Sequence, residues 1–294
     1  DGYNANKVTL TNTATGSINL TGDESTGIYA KRGLIFNDGQ ISVGKKSTGI
    51  YIVEDDRSPV GAVAGARAIN SSTGVITIGE DSTGMYYKVD PDNADGRGTN
   101  TAIGGGIVND GKIESTANNV IAMSFDSPYA SKTMENSATG VIDLQGQNST
   151  GMFATGAGTY TAVNNGTIKL ASSSNVNTPN IGMYTDKDTI TLENNGTIEG
   201  GDKTVGIYGY NANLGATSTT KVGSGGTGVY SKGGNVTING GTLSIGENGT
   251  TGSNDAVGVY YVGAGGTITS NATDVKIGNS AYGFVVQNEN GAAV

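Results

Sequence analysis

Cysteine, histidine and tryptophan are absent from this 294-residue chain, and there are only 4 prolines. Without Cys and His, the usual zinc-ligand sets, the Ser–His and Cys–His nucleophile pairs and any disulfide are excluded. Basic residues are scarce as well: 17 Lys and Arg against 26 Asp and Glu give a formal charge of −9. That balance excludes the basic footprint of a nucleic-acid binder and opposes contact with an anionic membrane surface. No apolar run reaches about 18 residues, so no transmembrane helix is encoded. The opening Asp1-Gly2-Tyr3-Asn4 does not look like a signal peptide, so a processed or excised chain is expected.

What the chain has instead is glycine, 50 residues of it, without a Gly-X-Y period. Much of it falls in a recurring cassette, first seen as Ser25-Thr26-Gly27-Ile28-Tyr29. The cassette returns at Ser47–Tyr51, Ser82–Tyr86, Ser149–Phe153, Asn180–Tyr184, Thr204–Tyr208, Gly226–Tyr230, Ala256–Tyr260 and Ala281–Val285, with a weakened copy read as Asn119–Met123. A second element precedes it, as in Asn37-Asp38-Gly39-Gln40-Ile41-Ser42-Val43-Gly44, and recurs at Asn109, Asn164 and Asn194. A variant with two more turn residues starts at Asn12, Asn70 and Asn136. After the Gly, apolar residues alternate (Ile41 and Val43, Ile76 and Ile78, Ile142 and Leu144), which is the period of a strand. A third strand runs up to each Asn, as in Val8–Asn12, Ile190–Asn194 and Val236–Asn239.

Each unit is thus three short strands, and the shortest period is 22 residues, from Gly27 to Gly49. A propeller blade needs about 40 residues, so the period predicts a parallel β-helix, a three-sided solenoid of about ten coils, each of 22 or more residues. At roughly 4.8 Å per coil the rod would be about 48 Å long. Residues 1–294 read as one continuous β-helix segment, with lateral insertions at about 52–68, 87–106, 124–133, 171–180 and 247–255. Stacking in register brings equivalent residues into columns. Asn37, Asn109, Asn164 and Asn194 are expected to form an amide ladder, so Asn165-Gly166-Thr167 reads as turn chemistry before glycan acceptor. Tyr29, Tyr51, Tyr86, Tyr184, Tyr208, Tyr230 and Tyr260 are expected to line an outer strip, with Gly27 facing outward beside Tyr29 and Thr26 and Ile28 facing inward. The strip is a structural ladder first and a surface for sugars or a protein second.

Insertions on a rigid scaffold are where binding residues usually sit. The first three, which follow the Tyr position of the second, third and fourth cassettes, leave one corner at adjacent heights, and Tyr87, Asp90, Asp92, Asp95, Arg97, Asp126 and Tyr129 are the candidate binding residues there. Asp90–Gly96 has oxygens for Ca²⁺, but Ala94 occupies the third ligand position of a calcium loop and no Glu closes it, so a solvated acidic loop is expected. Glu54-Asp55-Asp56-Arg57 reads the same way. The Gly104–Gly106 run opens no helix and precedes no Gly-Lys-Ser/Thr, so it is no phosphate cradle. Glu114, Asp143, Lys169 and Glu199 fall on consecutive coils, and Glu114 with Asp143 has about the carboxylate separation of a retaining glycosidase. Lys169 beside Asp143 would make that a plain ion pair. No catalytic residues, metal or cofactor are expected.

The paired pattern, Asn-x-Gly-x-Ile-x-Val-Gly followed by Ser-Thr-Gly-Ile-Tyr, resembles the passenger repeats of large fusobacterial-type autotransporter adhesins over Val8 to Val285. The resemblance implies a right-handed β-helix, exported through its own outer-membrane barrel and displayed on the bacterial surface, where it attaches to host cells or other bacteria. Its partners would be surface proteins or glycans. The chain carries no barrel, and with neither end capped it reads as a stretch of a longer rod that continues into further coils. The resemblance rests on scaffold positions, so no binding residue carries over. A pure spacer and a β-helical polysaccharide-processing enzyme stand as alternatives.

Overall fold

The computed structural model describes residues 8–55, 66–90, 105–130, 132–246 and 255–288. Among the described residues, thirty strands, numbered β1 to β30 in chain order, form three parallel sheets of ten strands, each sheet taking every third strand. Every coil gives one strand to each sheet, so the protein is a three-sided parallel β-helix of ten coils. All ten cassettes lie in the third sheet, which begins with β3 (Thr26–Lys31) and ends with β30 (Tyr282–Gln287).

The core is a set of columns. Ile41, Ile76, Ile113, Ile142, Ile168 and Ile198 pair in register along the second sheet and are all essentially buried. Ile50, Met85, Met123, Met152, Met183 and Ile207 do the same in the third. Each such side chain contributes on the order of 2 kcal/mol by leaving water. This explains how a chain of modest apolar content folds: a thin tube needs only two or three inward residues per side.

The cassette departs from simple alternation. Ile28 is buried and Tyr29 is exposed, as expected, but Thr26 faces out. The glycine is the buried one: Gly49, Gly84, Gly151, Gly182, Gly206, Gly228 and Gly258 are enclosed, while Gly27 and Gly283 in the end coils are half-buried. A methyl group at Gly49 would stand 2.6 Å from the Gly84 carbonyl oxygen and 2.9 Å from Ile76 Cγ2. Ladder pairing skips this residue, running Thr48 to Thr83 and then Ile50 to Met85, so two successive residues face the core. Ala122 is the single exception in the column, in the most degraded copy. That copy is Val120–Ser124, one residue later than the sequence suggests, because Met123 pairs with Met85 and Ser124 with Tyr86.

The corner ahead of the cassette uses a left-handed residue in nine coils, and in eight of them it is not glycine: Glu24, Lys46, Asp81, Asn119, Asn148, Lys203, Asp255 and Ser280, joined by Gly225. Pro179 takes this place in the remaining coil, where 171–180 is inserted between β17 (Thr167–Leu170) and β18 (Ile181–Thr185). The insertion at 247–255 lies at the same corner, largely outside the described residues.

Inside the tube, seven asparagines form one hydrogen-bonded ladder. Asn12, Asn37, Asn70, Asn109, Asn136 and Asn164 each donate from Nδ2 to the Oδ1 of the next, at 2.7–2.8 Å, ending on Asn194. Asn194 donates in turn to Thr220 Oγ1 at 3.2 Å. The column then becomes apolar, with Leu214 and Ile238 in register. Asn239 is therefore not a rung; it is exposed and donates to Asn213 Oδ1 at 2.9 Å. Asn165 belongs to a second, outer amide row, giving to Glu135 and accepting from Asn195.

Candidate functional site at one corner of the tube

The chain passes from the third sheet back to the first at a corner that spans as little as one residue, Tyr210. Between β6 (Thr48–Asp55) and β7 (Arg67–Asn70), and between β9 (Thr83–Asp90) and β10 (Gly105–Asn109), it makes long excursions on consecutive coils. Two coils, not three, are enlarged there. The 124–133 stretch is strand at both ends, β12 (Ile121–Asp126) and β13 (Lys132–Asn136), joined by residues 127–131. Likewise 52–55, 87–90 and 105–106 belong to strands and not to loops.

β6 and β9 run to eight residues, and the extra length widens the core at this corner. Ile52, Tyr87, Phe125 and Ala154 form an added inward row. Tyr87 stacks on Phe125 with centroids 4.6 Å apart, and Tyr160 meets Phe125 edge-on at 5.2 Å. Tyr87 is 0% exposed, so it is a core residue and not a ligand contact: after Tyr86 the strand keeps alternating, which turns residue 87 inward.

Beside it lies a buried ion pair. Glu54 is 1% and Lys132 0% exposed at the side chain, with Nζ 2.8 Å from Oε1. The Tyr87 hydroxyl donates to Glu54 Oε2. Burial and the adjacent Glu54 carboxylate push the Tyr87 pKa far up, so the hydroxyl keeps its proton. Glu54 is thus not part of a solvated acidic loop. It stands in register with buried Val89, and Lys132 pairs with Gly105, which offers no side chain beneath the lysine stem. Strand parity carried the signal for each: Glu54 shares a face with Ile52, and Lys132 with Met134 and Asn136. That the two meet is a matter of coil stacking.

Asp90 is half-buried at the end of β9 and pairs in register with Asp55. Asp126, also half-buried, borders an open depression of about 610 Å³ with Thr155, Lys187, Asp188 and Thr189. Tyr129 is half-buried against the core, its N–H donating to Ser127 Oγ at 3.1 Å. Asp92, Asp95 and Arg97 lie outside the described residues, as does the rest of the acidic loop after Asp90. Among the described residues, no group of three or more Asp or Glu side chains is placed to hold a metal ion.

The outer aromatic strip is broken by Ser124. Tyr29, Tyr51 and Tyr86 form one stack, and Phe153, Tyr184, Tyr208, Tyr230 and Tyr260 another, with centroids 4.7–5.5 Å apart. Most rings lie face to face along the rod, so their π-faces are used on one another. A groove of about 420 Å³ runs between Val176 and Pro179 on one side and Tyr184, Tyr208 and Tyr230 on the other.

On the second sheet, Glu114 and Asp143 are register partners over a shallow depression of about 250 Å³. Their cation is Lys112, 2.5 Å from Glu114 and 4.0 Å from Asp143. Lys169, although next in register to Asp143, makes no ion pair with it among the described residues.

No family model matches the chain, and comparison with curated proteins and with solved structures found no similar one.

Proposed function

We propose that this chain is part of a rigid, non-enzymatic rod displayed on a bacterial surface, and that it attaches to host or bacterial cells through the insertions at the corner between the third and first sheets. The observation that carries the reading is the coincidence of two long excursions on consecutive coils, 56–66 and 91–104, above strands lengthened to carry them. The strands at their roots lie on adjacent coils about 5 Å apart, so a partner could reach both insertions. The repeat's resemblance to autotransporter passengers supports export, surface display and a continuing rod with a separate barrel. Partners are surface proteins or glycans, met by loop residues including Asp92, Asp95 and Arg97, with Asp90, Asp126 and Tyr129 at the loop roots. Removing residues 91–101 joins Asp90 to Ala102 and tests the placement: the rod stays folded by circular dichroism and cell binding falls. Undiminished binding would sink it.

A spacer role is the second reading. It is favoured by the coils from β15 (Thr150–Thr155) onward, where the same corner spans five residues or fewer. In that case the isolated chain binds no cell.

A further inference from the structure

We propose that Lys132 and Glu54 condense into an intramolecular amide, a covalent staple across the coils at the root of the two insertions. The reacting groups are already in contact, Nζ to Oε1 at 2.8 Å, and solvent is excluded from both. Taking an ammonium and a carboxylate out of water is expensive. Proton transfer from Nζ to Oε1 gives an amine and a carboxylic acid. The amine lone pair attacks Cδ, forming the C–N bond. Charge developing on Oε2 meets the Tyr87 hydroxyl, which already donates to that atom, as a preorganised oxyanion donor does. A second proton passes from nitrogen to Oε1, the Cδ–Oε1 bond breaks, and water leaves. One ammonium and one carboxylate become one amide and one water, with no oxidant or co-reactant.

The pair is held for this by its surroundings. Tyr87 is fixed by its stack on Phe125, and Gly105 leaves room for the lysine stem. Held groups at contact distance react as if at very high concentration. The linked residues are 78 apart in sequence, and the loop so closed contains both insertions. A chain without cysteine has no disulfide with which to do this.

Intact-mass spectrometry of the full purified chain decides the matter. The expected mass is 18 Da (one water) below that of the sequence, with a branched peptide joining Glu54 to Lys132 after proteolysis. Lys132→Met should restore the full sequence mass, and Tyr87→Phe should leave most of the chain unlinked shortly after folding. A folded wild-type chain at full sequence mass overturns the proposal and leaves a plain buried ion pair. A loss of water mapped to any other residue overturns it equally.

Discussion

Asn109 donates from Nδ2 to Asn136 Oδ1 at 2.8 Å while its own Oδ1 accepts from Asn70, and all three side chains are 0% exposed. An interior rung therefore serves two neighbours. Asn109→Leu orphans a donor on Asn70 and an acceptor on Asn136, and at about 1–3 kcal/mol for each buried orphan the cost is about 3 kcal/mol or more. Asn12→Leu, at the first rung, removes only the donor to Asn37 Oδ1 and should cost about half as much. Equilibrium denaturation of the two variants measures the difference. Equal costs would mean that the ladder is not a chain of shared bonds.

The left-handed corner gives a second prediction. Lys46 has φ near 52° and an exposed side chain. A β-branched residue there is strained by about 1–2 kcal/mol, so Lys46→Val should lower stability by about that amount. Lys46→Gly should cost nothing measurable, since relief of strain offsets the freer unfolded chain. Thermal melts of the pair are sufficient.

Breaking the buried pair is a third case. Lys132→Met leaves the Glu54 carboxylate without a partner, ionic or covalent, in a dry interior, at a cost of about 3–5 kcal/mol. Glu54→Leu combined with Lys132→Met removes both charges and should recover most of that loss. A double variant as unstable as the single one would show that packing, and not charge, sets the cost.

Alkali should weaken the rod over a defined range. Burial, then the charge of Asp126 and the neighbouring Tyr51, push the Tyr86 pKa up to about 12. Burial likewise raises Tyr51, Tyr87 and Tyr160. The unfolded chain ionises first, near pH 10, so it holds fewer protons than the folded one above that value. Stability is complete below about pH 10 and declines as pH rises toward 12. Melting temperatures between pH 8 and 11.5 should be flat and then fall, and Asp126→Asn should soften the fall.

How far the sequence carries depends on how strongly a position repeats. The three-strand unit, the Asn rungs and the inward Ile column recur at the same offsets in most coils, and a repeated offset in a solenoid is a shared height and face. Where the signature thins, register slips: Val120–Ser124 lost its Ser, Gly and Tyr, and only pairing of Met123 with Met85 places it. Val236–Asn239 slipped because an Asn stood one residue beyond the column that Ile238 occupies. The buried glycine was hidden because a residue without a side chain shows no preference for either face. At the candidate site, length variation marked the corner, but it could not separate loop from lengthened strand. Glu54 and Tyr87 border an insertion, which suggests solvent, but strand parity with Ile52 turns Glu54 inward and alternation after Tyr86 turns Tyr87 inward; Lys132 carries no signal beyond its parity with Met134. Glu54 and Lys132 lie on different coils, and their meeting depends on the small residues stacked between them.

If function sits at one corner of an otherwise structural tube, paired deletions separate that corner from the rest. Cell binding would be compared for the intact chain, a chain lacking 91–101, and a chain lacking 174–177 at the opposite, second-to-third corner, all shown to be folded. Binding should be lost with the first deletion and unchanged with the second. Loss from the second deletion alone, or equal binding by all three, would contradict that placement.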